Sequence, residues 1–125
     1  MADKVLIVED DPAALRLVSY ILESAGYEVV SATNGLEALQ KAVEDSPSLV
    51  VLDVMLPGID GFEVCHRLRA IVASHVPILM LSAKAQAADR QTGERVGADL
   101  YLVKPATPEE ITSAVRQLLD WQQAA

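Results

Sequence analysis

Four short apolar runs with no charge inside them restrict what this chain can fold into. They are Val5-Leu6-Ile7-Val8, Leu49-Val50-Val51-Leu52, Ile78-Leu79-Met80-Leu81 and Leu100-Tyr101-Leu102-Val103. A strand with one wet face alternates apolar and polar residues. A strand apolar at every position is covered on both faces, as in a parallel sheet packed between helices. A weaker strand, Glu28-Val29-Val30-Ser31-Ala32, falls between the first two, and helical patterns separate all five. This rhythm of strand then helix, repeated five times, predicts the α/β class. The expected architecture is a doubly wound five-stranded parallel sheet in the order 2-1-3-4-5, a flavodoxin-like three-layer sandwich of five βα units.

The helical segments carry their own start and stop signals. Asp11 caps the first, Pro12 takes its first position, Leu15, Val18, Leu22 and Ala25 share a face, and Gly26 stops it. Leu36, Leu39 and Val43 mark the second helix; Cys65, Leu68 and Val72 mark the third. Thr107-Pro108-Glu109-Glu110 reads as a capping box that opens the fifth, with Ile111, Val115 and Leu118 inward and an end near Gln122, after which the tail frays. The fourth, at about 85–96, is the weak one. Ala87, Ala88 and Val96 give it little apolar face, and Gly93 costs it about 1 kcal/mol against alanine.

Chemistry gathers where the strands end. Glu9 and Asp10 follow the first run, Asp53 follows the second, and Lys104-Pro105 follows the last. A parallel sheet brings these ends to one edge, and in the order 2-1-3-4-5 the first and third strands are neighbours there. Carboxylates so close cannot all stay ionised without a compensating cation. Oxygen donors alone suit a hard divalent ion, so magnesium acting on phosphate is the natural reading.

Composition bounds the rest. At 125 residues, the chain is expected to be one domain over 1–125. Aromatic residues make up only 4%, so the core is aliphatic. The net charge of -8 repels nucleic acid and anionic membranes, which argues against direct binding to either. A single cysteine, Cys65, excludes an internal disulfide, and with no charged-then-apolar leader before Val5 the expected compartment is the cytoplasm.

With these residues in view, the chain resembles the receiver domains of two-component response regulators over essentially its whole length. The likeness is carried by Lys4-Val-Leu-Ile-Val-Glu-Asp-Asp11, Val51-Leu-Asp-Val-Met-Leu-Pro-Gly-Ile-Asp-Gly61, Ile78-Leu-Met-Leu-Ser-Ala-Lys84 and Gly97-Ala-Asp-Leu-Tyr-Leu-Val-Lys-Pro105. The resemblance implies a phosphorylation-activated signalling switch, not a turnover enzyme. A sensor histidine kinase or a small phosphodonor would load Asp53, with Mg2+ held by Asp10, Asp53 and the backbone carbonyl of Met55, and Glu9 acting mainly through bound water. It further implies that Lys104 and the Ala83 N–H bind the phosphoryl oxygens and that the bond before Pro105 is cis. Ser82 and Tyr101 would be the switch pair, Tyr101 exposed at rest and turned inward when Ser82 moves, so that a changed face meets an output domain or partner protein. The isolated domain is expected to be monomeric, because the fourth helix carries Gln91 and Glu94 where an apolar pairing surface would be needed.

Two rival classes share the topology. An aspartyl-phosphate phosphatase needs a second aspartate two residues after the first, where this chain has Met55. A flavin carrier needs a hydroxyl- or glycine-rich loop after the first strand, where this chain has Glu9-Asp10-Asp11, repulsive to phosphate. His66, His75 and Cys65 lack partners at metal or catalytic spacing, and Trp121 reads as packing on the last helix.

Overall fold

The computed structural model describes residues 2–71 and 75–124. Strands and helices alternate as β1 (Lys4–Val8), α1 (Pro12–Ser24), β2 (Glu28–Ala32), α2 (Gly35–Asp45), β3 (Leu49–Leu52), α3 (Gly61–Ile71), β4 (Ile78–Ser82), α4 (Ala87–Val96), β5 (Leu100–Val103) and α5 (Pro108–Ala124). All strand pairs are parallel, in the order β2-β1-β3-β4-β5 that the sequence predicts.

Successive strand side chains point to opposite faces, which divides the core in two. Val5, Ile7, Leu49, Val51, Leu79 and Leu81 meet Val18, Ile21 and Leu22 of α1 and Ile111, Val115 and Leu118 of α5. Leu6, Val8, Val50, Leu52, Ile78 and Met80 meet Ala38 and Ala42 of α2 and Val64, Cys65 and Leu68 of α3. The central strands are thus buried at every position, as uninterrupted apolar runs require.

Several helical faces differ from the expectation. Leu36 and Val43 are 66% and 58% exposed, and α2 instead buries Gly35, Ala38 and Ala42, the same spacing one residue earlier. Small residues win because the helix lies close: a Cβ on Gly35 would come within 2.5 Å of the Ile59 side chain. Ala25 is exposed, since it is the C-cap of α1 and lies past the last turn that the sheet covers. Helix α4 starts at Ala87 and buries Gly93 alone. Helix α5 runs past Gln122 to Ala124, and Trp121 is 53% exposed, not packed. The 17 residues of α5 span about 26 Å at 1.5 Å each, more than the strands it covers, so its last turns outrun the sheet. Val72 and Ala125 lie outside the described residues.

Caps fix the entries to the helices. Asp11 Oδ2 accepts from the Ala14 N–H, Asn34 Oδ1 from that of Glu37, and Asp60 Oδ1 from that of Glu63. Thr107 and Glu110 form the predicted reciprocal box: Glu110 N–H donates to Thr107 Oγ1 at 3.0 Å, and Thr107 N–H to Glu110 Oε1 at 2.8 Å.

Two devices hold the functional edge in place. Backbone bonds continue past the strands, Glu9 N–H to Ala32 O, Asp53 N–H to Val8 O and Lys104 N–H to Ser82 O, so the strand ends stay level. Behind them Arg69 of α3 donates to the carbonyls of Gly97 and Val76 and to the Asp99 carboxylate, which also accepts the Ile78 N–H. This clamp ties α3 to the turn between α4 and β5.

Gly61 is where the chain passes closest to the site. A Cβ there would sit 2.1 Å from the carbonyl oxygen of Asp53, a backbone atom that cannot swing aside. Gly61→Ala should therefore cost about 3 kcal/mol or more in urea denaturation, at the top of the overpacking range. Gly26→Ala, at φ 98 but with nothing within 4 Å, should cost only about 1–2 kcal/mol. Equal costs would show that the Asp53 contact is not what forbids a side chain at 61.

Candidate functional site

Asp53 stands at the middle of the edge, just past β3, and is 7% exposed. Each of its carboxylate oxygens has one donor. Oδ1 accepts the Met55 N–H at 3.1 Å, and Oδ2 accepts from Lys104 Nζ at 3.1 Å. Lys104 reaches it from the end of β5, across β4, and its peptide bond to Pro105 is cis.

Glu9 is 5% exposed and pairs directly with the same ammonium, its Oε1 accepting from Lys104 Nζ while Oε2 accepts the Asp11 N–H at 3.3 Å. A direct bond from Glu9 to Lys104 is not legible in the sequence, because the two are 95 residues apart and meet only through the strand order. Asp10 is exposed and points its carboxylate to the same place: ligand oxygens of Glu9, Asp10 and Asp53 lie within 4.8 Å of one another. Among the described residues no other trio of histidine, cysteine or acidic side chains is gathered this way.

The electrostatics follow from burial. Burial pushes the Glu9 carboxyl above its ordinary pKa, and the neighbouring Asp53 charge adds to the shift, against the hydrogen bond from Lys104. Burial pushes Lys104 down, but the Glu9 hydrogen bond and the Asp53 charge outweigh it and hold the ammonium above its usual range. Lys104 is accordingly charged at neutral pH. One ammonium among three carboxylates leaves negative charge uncompensated, and every donor is a hard oxygen. That set fits Mg2+ or a similar ion and would repel a phosphoryl group without one.

The other predicted residues lie around this centre. Ser82 closes β4, fully buried, and its Oγ accepts the Lys84 N–H at 3.3 Å. Ala83 is exposed beside it. The Met55 side chain is 56% exposed, so its contribution to the centre is its backbone. Tyr101 is half-buried on β5 and not exposed as expected, because its ring edge lies against Gly93 of α4 and its hydroxyl donates to the Lys84 carbonyl at 2.7 Å. Ser82 and Tyr101 thus hold the same residue, one at its N–H and the other at its C=O. His66 and His75 are exposed and outside the cluster.

The chain is similar to known proteins. The profile of the family described as response regulator receiver domain matches residues 5–116. The alkaline phosphatase synthesis transcriptional regulatory protein PhoP of Bacillus subtilis is 45% identical over 119 residues, 95% of this chain and 49% of that protein. The DNA-binding dual master transcriptional regulator RpaA of Synechocystis is 47% identical over 117 residues, 93% of this chain and 48% of that protein. The chain therefore spans about half the length of these curated relatives. A crystal structure of a CheY-like response regulator receiver domain protein from Methanospirillum hungatei superposes with a TM-score of 0.94 at 29% identity, covering 99% of this chain and 98% of that one.

Cys65 stands apart from the centre. It is fully buried on α3, its Sγ donates to the Val96 carbonyl at 3.4 Å, and burial pushes its pKa up to about 11. At pH 8 that leaves about one thiolate in a thousand, against roughly a quarter for an ordinary thiol. Labelling by a maleimide should be at least about a hundredfold slower in the native protein than in urea. Comparable rates would mean that Cys65 is reached without unfolding.

Proposed function

The chain belongs to the response regulator receiver domain family, and from that premise we propose that Asp53 is its phosphoacceptor and that phosphorylation there changes the face it offers a partner. Receiver domains bind Mg2+ in an acidic pocket and interact with histidine kinases and output domains. The observation that carries the reading for this chain is the Asp53 carboxylate, held by Met55 N–H and Lys104 Nζ with Glu9 and Asp10 beside it.

One Asp53 oxygen attacks phosphorus, the bond from phosphorus to the donor's nitrogen or oxygen breaks, and the donor leaves with that electron pair, an imidazole nitrogen taking a proton from solvent and a carboxylate leaving as the anion. Negative charge then moves outward from the carboxylate to the phosphoryl oxygens. The Lys104 ammonium, paired at rest with Asp53 and Glu9, is the chain's own charge for them. The Ser82 hydroxyl and the Ala83 N–H supply further donors. Magnesium, held by Asp10, Asp53 and the Met55 carbonyl with Glu9 alongside, would neutralise the acids and the phosphoryl oxygens when bound. Glu9 in this reading also orients Lys104, beyond any contact through water.

The donor is a sensor histidine kinase or a small phosphodonor, and the receiver is acceptor, not turnover enzyme. We take residues 1–125 as one receiver domain acting in the cytoplasm on an output domain or partner protein. Among the described residues no helix is long and apolar enough to cross a membrane. Its net charge of -8 leaves nucleic-acid binding to another unit. Pairing of the isolated domain through α4 is disfavoured, because Arg90, Gln91 and Glu94 are exposed there and would bring charge to the centre of the interface.

Incubation with acetyl phosphate and Mg2+ should add one base-labile phosphoryl group by intact mass, and the loaded domain should still sediment as a monomer. Asp53→Asn should take none. Loading of that variant at the wild-type rate would remove Asp53 from the role, and a loaded dimer would overturn the monomer.

Magnesium alone should raise stability. At ten times its dissociation constant the gain is about 1.4 kcal/mol by mass action. Asp10→Ala should lose most of this gain. Asp11→Ala, which removes only the cap on Ala14 N–H, should lower stability by about 1 kcal/mol and keep the metal response. An equal loss of response in both would show that Asp10 has no special part in holding the ion.

A further inference from the structure

Glycine is a poor residue for the interior of a helix, yet Gly93 is the one residue that α4 buries. The reason is spatial. A Cβ on Gly93 would lie 3.1 Å from Met80 Sδ, 3.1 Å from Tyr101 Cδ2 and 3.4 Å from Tyr101 Cε2. The edge of the Tyr101 ring therefore rests on the bare backbone of α4, with Met80 of β4 closing the other side. One turn back along the same helical face, the Arg90 guanidinium carbon stands 5.6 Å from the ring centroid.

The same ring reaches the functional edge. Its hydroxyl donates to the Lys84 carbonyl at 2.7 Å, and Lys84 is in turn held at its N–H by Ser82 Oγ at 3.3 Å. Tyr101 touches α4 along its ring and the segment after β4 at its hydroxyl. It makes both contacts at their present geometry only while the space above residue 93 is free of a side chain, since a Cβ there is tighter than ordinary contact.

We propose that Gly93 is the positioning residue for Tyr101: its missing side chain keeps a slot open between α4 and β4, and the ring in that slot couples the outer face of α4 to Ser82. That the slot serves switching rests on Asp53 being the phosphoacceptor; that Gly93 seats the ring does not. An alanine at 93 would suit an isolated helix better, so an ordinary helical position would gain from the change. Here the change fills the slot instead. The Tyr101 ring and the Met80 sulfur must give by a few tenths of an ångström, which strains the bond to Lys84 and loosens the path from Ser82 to α4 while the carboxylates and Lys104 are untouched.

The experiment uses the chain labelled with fluorotyrosine, whose three resonances come from Tyr20, Tyr27 and Tyr101, the last identified by its loss in Tyr101→Phe. Fluorine spectra are recorded with and without beryllofluoride and Mg2+, a mimic of the phosphoryl group. In Gly93→Ala the Tyr101 resonance should move from its position in the unmutated chain, and its response to beryllofluoride should shrink. Phosphate loading of Asp53 should be retained. An unmoved Tyr101 resonance in Gly93→Ala overturns the proposal. Should that variant fail to fold, Gly93→Ala combined with Tyr101→Ala should restore folding while Gly93→Ala combined with Met80→Ala should not, because the ring is the main obstacle; the reverse result overturns the proposal. If the unmutated chain takes no phosphate, the phosphoacceptor reading falls, while the resting-state resonance still decides whether Gly93 seats the ring.

Discussion

A parallel sheet covered on both faces must put the C-terminal ends of all its strands along one edge, and the chemistry of this protein follows from that constraint. Central strands buried at every position cannot carry polar groups along their length. Past the C-terminal ends charge can stand again, and there Glu9, Asp10, Asp53 and Lys104 gather. The backbone bonds from Glu9, Asp53 and Lys104 to neighbouring carbonyls keep those ends level, so residues up to 95 apart in sequence share one ion pair.

Burial makes that grouping costly and therefore chemically useful. Two of the three carboxylates are nearly out of water, and only one ammonium lies among them. The imbalance is what a divalent cation and a phosphoryl group would resolve between them. It also explains why Lys104 keeps its charge despite its own desolvation, since neutralising it would leave Glu9 and Asp53 facing each other unscreened.

The helices of the sandwich are held with unequal firmness. Helices α1 and α5 bury aliphatic stripes against the sheet, and α3 adds the Arg69 clamp. Helix α4 buries a glycine. At its C-terminal end Cys65 and Arg69 bond the carbonyls of Val96 and Gly97, while the segment before it is joined to β5 by the bond from Tyr101 to Lys84. An element with so little apolar burial is drawn from the low-stability end of a fold, where shifts between arrangements cost least.

The strands and the residues at their ends were legible in the sequence from runs apolar at every position and the strand–helix rhythm, and the strand order agrees with the resemblance to receiver domains. The reciprocal box at Thr107 and Glu110 was equally local, since both partners lie within one turn. Helix rotation was not. Leu36, Leu39 and Val43 have the right spacing for an inward stripe, yet Gly35, Ala38 and Ala42 have the same spacing one residue earlier, and only the closeness of α2 to the sheet and to Ile59 chooses between them. Trp121 was misplaced for a related reason: the length of α5 against that of the strands is a property of the assembled layers. The sequence by itself determined which acids and which lysine sit at the strand ends. Tertiary structure alone decided that Lys104 bridges Glu9 and Asp53, that Gly61 lies against the Asp53 carbonyl and that Gly93 lies under Tyr101, because each is a distance between chain segments that no local periodicity encodes.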